Sequence, residues 1–179
     1  VATIAGNIAT ASPIGDNLPL LLALDSQVVL HDIKKSKILP INDFFINYRK
    51  TKLKEGQFIH SIRIPIFYKN IFKAYKISKR FDDDISSVCA AFNLIIENKK
   101  IKEIKIAYGG MANIPKRATY CERVLLNSPI TKDVINKAKN ALENDFSPMS
   151  DMRASGKYRK IIAKNLLEKC FLEINEKKL

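Results

Sequence analysis

Residues 85–111 constrain the fold more than any other stretch. ISSVCAAFNLIIE (85–97) is largely apolar and rich in β-branched residues, which reads as a long strand. ENKK (97–100) turns the chain, and IKEIKIAYGGM (101–111) then alternates Ile104, Ile106 and Tyr108 with charged neighbours. The two runs form an antiparallel hairpin, and FKAYKISKR (72–80) supplies a third strand ahead of it. Three helices follow. One covers about 117–126, with Ala118, Cys121, Val124 and Leu125 on one face. The next starts near Thr131 and carries Val134, Ile135, Ala138, Ala141 and Leu142 at helical spacing. The last runs from about Ser155 to Ile174, with Tyr158, Ile161, Ile162, Leu166, Cys170, Phe171 and Ile174 as its stripe. Strands followed by helices predict an α+β fold rather than alternating α/β: a three-stranded antiparallel sheet with three helices.

The part before residue 67 has a different pattern. The chain opens on VATIAGNIATASPIGD (1–16), without a Met and among small residues, which gather where backbone comes close to another backbone or to a bound molecule. Part of that contact is expected to lie in residues outside this chain, and no signal peptide is expected at its start. SPIGDNLPLLLALD (12–25) predicts a helix, with Asp16 or Asn17 as cap and Pro19 in the first turn. QVVLHD (27–32) reads as a strand. Phe44, Phe45 and Tyr48 cluster ahead of Arg49 and Lys50. FIHSIRIPI (58–66) places His60, Ile62, Ile64 and Ile66 on one face of a strand. A domain boundary is expected within IPIFYKNIF (64–72).

The balance of 31 Lys and Arg against 18 Asp and Glu gives a net charge of +13. Nucleic acid is nevertheless not the expected partner. Only 7 of the basic residues are Arg, the better reader of phosphates and bases, and the lysines are spread among Asn and Ile as a solvated surface. The apolar run PLLLAL (19–24) is too short for a membrane span. Cys89, Cys121 and Cys170 make no C-x-x-C pair and predict buried free thiols, in keeping with a reducing cytoplasm. His31 and His60 stand apart in the sequence and support no metal site.

The most polar constellation is KISKRFDDDIS (76–86), where Lys76, Lys79 and Arg80 face Asp82, Asp83 and Asp84 between two strands. YGGMANIPKRA (108–118) holds a Gly pair that reads as a tight turn. In DMRASGKYRK (151–160) an Asp151–Arg153 pair is expected to fix a loop. The backbone and short hydroxyls of the opening stretch suit phosphate or ribose, but the pattern is not G-x-G-x-x-G.

Five blocks resemble, in order and spacing, the FAD-binding part of bacterial xanthine dehydrogenase small subunits in the molybdenum hydroxylase family, with carbon monoxide dehydrogenase medium subunits as relatives. They are TIAGNIATASPIGD, DFFINYRKT with GQFI, YKISKRFDDDISSVCAAF, AYGGMANIPKRA and SPMSDMRASGKYR. The resemblance implies the second lobe of a two-lobed FAD-binding domain over residues 1–66 and a C-terminal α+β domain over 67–179. It implies that the first FAD lobe and the [2Fe–2S] domain lie outside this chain, and that molybdopterin sits on a large partner subunit. Electrons from purine oxidation are then expected to pass through iron–sulfur clusters to FAD and on to NAD, in the cytoplasm.

By the same resemblance, Thr3, Ile4, Ala5, Gly6 and Asn7 form a small-residue loop beside the FAD, with Ala5 where a glycine is common. Asp16 is expected to hydrogen-bond the sugar or ribityl portion, and Ile59 to offer its backbone to the flavin ring. Lys76 is expected near the polar edge of the isoalloxazine, where a cation stabilises reduced, anionic flavin. Asp82 to Asp84 are expected to border the flavin on the NAD side. No catalytic acid, base or metal ligand is expected. The alternative is a remnant or subunit-interface domain that binds no flavin on its own. The isolated chain is expected to fold, to hold FAD weakly, and to self-associate through an apolar face of residues 1–66.

Overall fold

A computed structural model describes residues 3–80 and 84–176. Two short helices, α1 (Ile4–Thr10) and α2 (Asn17–Ala23), come first. Strands β1 (Gln27–His31) and β2 (Ser36–Pro40) form a hairpin, and a 3-10 turn (Ile41–Asp43) leads into the ribbon of β3 (Phe45–Asn47) and β4 (Lys50–Thr51). Strand β5 (Phe58–Arg63) returns beside β1, so the first sheet has the antiparallel order β2-β1-β5. The second sheet is also antiparallel, in the order β6 (Ile71–Ile77), β7 (Val88–Glu97), β8 (Lys100–Gly109) and β9 (Lys116–Arg117). Helices α3 (Thr119–Leu125), α4 (Lys132–Asp145) and α5 (Gly156–Glu176) follow. The α+β architecture is the one the sequence predicts. The three expected strands gain a two-residue fourth, β9, paired with Ala107 and Tyr108.

Strand β7 is buried on both faces because its two sets of side chains meet different partners. Val88, Ala90, Phe92 and Leu94 join Ile104, Ile106 and Tyr108 of β8 in a core closed by α3, α4 and α5. On the opposite face the residues are small: Cys89, Ala91, Ala107 and Gly109. Helix α2 lies against this face, and Ala91 and Ala107 share a second core with Leu18, Leu21 and Leu22 of that helix. A Cβ on Gly109 would come within 3.0 Å of the Pro19 ring. The run of small residues in SVCAAF thus lets a helix approach the sheet closely. Asn93, buried on this same face, donates through Nδ2 to the Ala23 carbonyl at 3.0 Å, satisfying a buried carbonyl at the C-terminal end of α2.

Several local expectations shift. The opening small residues form helix α1, capped by the Thr3 hydroxyl, which accepts from the Gly6 N–H at 3.0 Å. Asp16 stands at the N-cap position of α2 but makes no capping bond. The pairing of β1 with β5 slips between Val29 and Leu30, leaving His60 as a bulge. Ile59 and Ile62 therefore pack on the core, whereas Ile64 and Ile66 are exposed. The bulge brings His60 onto His31, with ring centroids 4.3 Å apart, although the two stand far apart in sequence. Phe44 and Phe45 enter the core, but Tyr48 is exposed at the ribbon tip beneath the Arg49 guanidinium. The stripe of α5 is rotated: Tyr158 and Ile161 face outward, and Arg159 is buried in their place. No helix among the described residues is long and apolar enough to cross a membrane.

Candidate functional site

Two residues singled out from sequence, sixty positions apart, meet where the loop before α2 reaches the second sheet. The Lys76 ammonium on β6 donates to Asp16 Oδ2 at 2.7 Å. The hydroxyl of the buried Ser86 donates to the other carboxylate oxygen of Asp16, and the Cys89 thiol points at the Asp16 carbonyl at 3.6 Å. Asp16 reaches this position because the loop before α2 is tied to the end of β8: the Gly110 N–H donates to the Pro13 carbonyl at 2.7 Å. Gly110 has φ +80, and any Cβ there would collide with the Ser87 carbonyl. The Gly pair expected as a tight turn is therefore also a point of close approach between three chain segments.

The hydrogen bond and charge of Asp16 raise the Lys76 pKa against a partial burial that lowers it. Burial, with the nearby Asp16 charge, pushes the Cys89 thiol up to about 12. The cluster is thus an ion pair at neutral pH beside a protonated thiol, half open to solvent.

The remaining sequence-predicted residues surround the same side in varied ways. Thr3 to Asn7 form the first turns of α1, which packs on α2 and β5. Gly6 leaves room for the Thr3 cap. Asn7 Oδ1 is buried without a hydrogen-bond partner among the described residues. Ile59 turns its side chain into the core, paired with Leu30 on an edge strand whose other side has no strand neighbour among the described residues. Asp82 and Asp83 lie outside the described residues. Asp84 accepts from the Arg80 N–H at 3.2 Å and lies 3.5 Å from its guanidinium, which, with other hydrogen bonds, holds its carboxyl below the usual range.

Next to Ser86, a cleft of about 410 Å³ is lined by Ser78, Lys79, Ser87, Arg153, Ser155 and Tyr158, together with Ala154. The Lys79 ammonium donates to the Met152 carbonyl at 2.8 Å and so anchors one wall. Sequence reasoning missed Ser86, whose only signal was a Ser pair heading an apolar strand. It also missed Arg159: the expected Asp151–Arg153 pair is loose at 4.0 Å, whereas Asp151 Oδ1 accepts from Arg159 at 2.7 Å. Among the described residues no group of His, Cys, Asp and Glu could hold a metal ion.

This α+β architecture matches that of the FAD-binding part of molybdenum hydroxylase flavoproteins. Residues 73–174 match the CO dehydrogenase flavoprotein C-terminal domain, and residues 1–67 match the FAD binding domain in molybdopterin dehydrogenase. The chain belongs to this family. It is 36% identical over 151 residues to a xanthine dehydrogenase of Emericella nidulans, a match covering 82% of this chain and 11% of that protein. It is 30% identical over 177 residues to the glyceraldehyde dehydrogenase medium chain of Sulfolobus acidocaldarius, covering 97% of this chain and 62% of that one. A carbon monoxide dehydrogenase of Hydrogenophaga pseudoflava superposes with a TM-score of 0.89 at 25% identity, over 94% of this chain and 58% of that chain. The chain thus spans less than two thirds of the length of each of these relatives.

The residues present fit a flavin nucleotide. The orphaned Oδ1 of Asn7 is a buried acceptor without a partner among the described residues, and the Asn7 side chain lies against Gly15, the residue before the Asp16 that pairs with Lys76.

Proposed function

We propose that this chain is the flavin-facing part of an electron-transfer subunit in a xanthine dehydrogenase, with NAD as the final acceptor. Residues 1–66 serve as the second lobe of the FAD-binding domain and 67–179 as its C-terminal domain. A first FAD lobe, a [2Fe–2S] domain and a molybdopterin-binding large subunit complete the assembly in the cytoplasm. The observation that carries the reading is the Asp16–Lys76–Ser86 cluster, because it joins side chains from both parts of the chain at one open seam.

When bound, FAD supplies the redox chemistry; the protein supplies position and charge. Asp16, fixed by Lys76 and Ser86, accepts from hydroxyls of the sugar or ribityl chain. Thr3 to Asn7 line the cofactor, with Asn7 Oδ1 as an acceptor. Ile59 offers the backbone of an edge strand. Lys76 places an ammonium by the polar edge of the ring system. The neighbouring cleft carries Lys79, Arg153 and the Tyr158 ring, groups that suit the pyrophosphate and base of a dinucleotide acceptor. The substrate oxidised at molybdenum is read elsewhere, as the different substrates in the relatives' names indicate.

Lys76→Met tests the reading in the complete enzyme. A unit charge roughly 4 Å away contributes on the order of 4 kcal/mol at an effective dielectric of about 20. Pairing with Asp16 and exposure of 35% of the Lys76 side chain leave only part of that. The flavin potential is expected to fall by some tens of millivolts, about 30 mV being 1.4 kcal/mol for two electrons. NADH formation slows while purine oxidation with an artificial acceptor at the molybdenum end persists. An unchanged potential contradicts the placement of Lys76.

A further inference from the structure

Arg159 is among the largest fully buried side chains of the molecule, at 2% exposure, and the chemistry described so far does not use it. Burying a guanidinium is costly unless its charge and donors are met. Here Nη1 donates to the Ser87 carbonyl and to the Gly110 carbonyl, the latter at 3.1 Å, and Nη2 donates to Asp151 Oδ1 at 2.7 Å, while Nε is buried without a partner among the described residues. Asp151 is itself held in place, accepting from the backbone N–H groups of Arg153 at 2.8 Å and Ala154 at 3.1 Å. An apolar side chain would fill this space without the desolvation cost. What a guanidinium adds is a set of fixed links between segments.

Those segments converge on Asp16. Ser87 follows Ser86, whose hydroxyl donates to the Asp16 carboxylate. Gly110 donates its N–H to the Pro13 carbonyl at 2.7 Å, in the loop that carries Asp16. One backbone segment bonded by Nη1 therefore adjoins Ser86 of the cluster, and the other is tied to the loop three residues before Asp16. We infer that Arg159, oriented by Asp151, is a positioning residue that sets the geometry of the Asp16–Lys76–Ser86 cluster for flavin binding. The inference rests on the FAD reading above and extends it to a residue outside the cofactor's reach.

The test uses the complete flavoprotein subunit in its assembled enzyme, comparing wild type with Arg159→Met, Arg159→Lys and Asp151→Asn. FAD dissociation constants are read by flavin fluorescence, flavin midpoint potentials by redox titration, and folding by circular dichroism. Arg159→Met is expected to weaken FAD roughly tenfold or more, the scale of a lost charged hydrogen bond, and to shift the potential. Arg159→Lys, which keeps the charge and some donors, recovers part of both. Asp151→Asn keeps Oδ1 as an acceptor for Arg153, Ala154 and Arg159 but removes the negative charge that pairs with the guanidinium, and moves both readouts in the same direction by less. A folded Arg159→Met with wild-type affinity and potential overturns the inference. If Arg159→Met does not fold, wild-type values in folded Asp151→Asn overturn it equally. Wild type that binds no FAD defeats the FAD reading and this inference together. Wild type that binds FAD, with Lys76→Met shifting the potential and the Arg159 and Asp151 variants unchanged, defeats this inference alone.

Discussion

At the scale of single residues, the site depends on one carboxylate with two partners. Asp16 and Lys76 form a pair of zero net charge at neutral pH, so their separate effects on a nearby redox group oppose each other. Lys76→Met leaves the carboxylate unbalanced and is expected to lower the flavin potential. Asp16→Asn leaves the ammonium unbalanced and is expected to raise it. The double variant restores the balance and returns the potential close to wild type, a cycle that spectroelectrochemistry of the complete enzyme can follow. Shifts of one sign in both single variants contradict this account. Asp16 and Lys76 were singled out by resemblance; their contact was not legible, because nothing in a one-dimensional pattern brings residue 16 to residue 76. Arg159 was hidden for a different reason. Periodicity places apolar Tyr158 and Ile161 on the core face of α5, but carbonyls at the ends of β7 and β8 attract the cation instead, and the helix turns its phenol outward.

At the scale of elements, legibility followed apolar length. Strands β7 and β8 and the core faces of α3 and α4 were readable because their side chains commit to one core. Helix α1 was not. Seven residues with a glycine and β-branched isoleucines have weak helical propensity, and the Thr3 cap and packing of Ile8 decide the matter. Helix α3 shows how such short pieces are held. The buried Asp145, from the end of α4, accepts from the Tyr120 and Cys121 N–H groups, both at 2.9 Å. Asp145→Ala leaves both donors unpaired and is expected to cost about 2 kcal/mol, the usual scale for a lost cap and buried bond. Urea unfolding of wild type and variant measures it. A loss within about 0.5 kcal/mol, as for an ordinary surface change, contradicts the capping role.

At the scale of the molecule, β7 and β8 contribute to both cores, so the parts before and after residue 67 share one packed sheet. Several carboxylates are held low by their partners: Glu143 by Lys160 and Lys164, Glu173 by Lys73 and Tyr75, Glu168 by Lys139. Asp151 is held low too, where burial opposes but backbone N–H groups and Arg159 prevail. Groups depressed in this way stabilise the fold above about pH 4 and lose that contribution as pH falls through their lowered values. Glu122 acts in reverse, because burial raises its pKa against the pull of Arg117, but it is a single group. Thermal melts are therefore expected to show one cooperative transition that moves down below about pH 4; a transition that rises on acidification contradicts the assignment. Ile4, Ile46, Phe58 and Ile66, all before residue 67, are exposed apolar side chains. The central claim is that the seam around Asp16 holds FAD, and a titration of the complete flavoprotein subunit with FAD, wild type beside Asp16→Ala, tests it most directly. The account predicts a single tight site in wild type, weakened roughly tenfold or more in a folded Asp16→Ala. Equal affinity in the two proteins, or no binding in either, contradicts it.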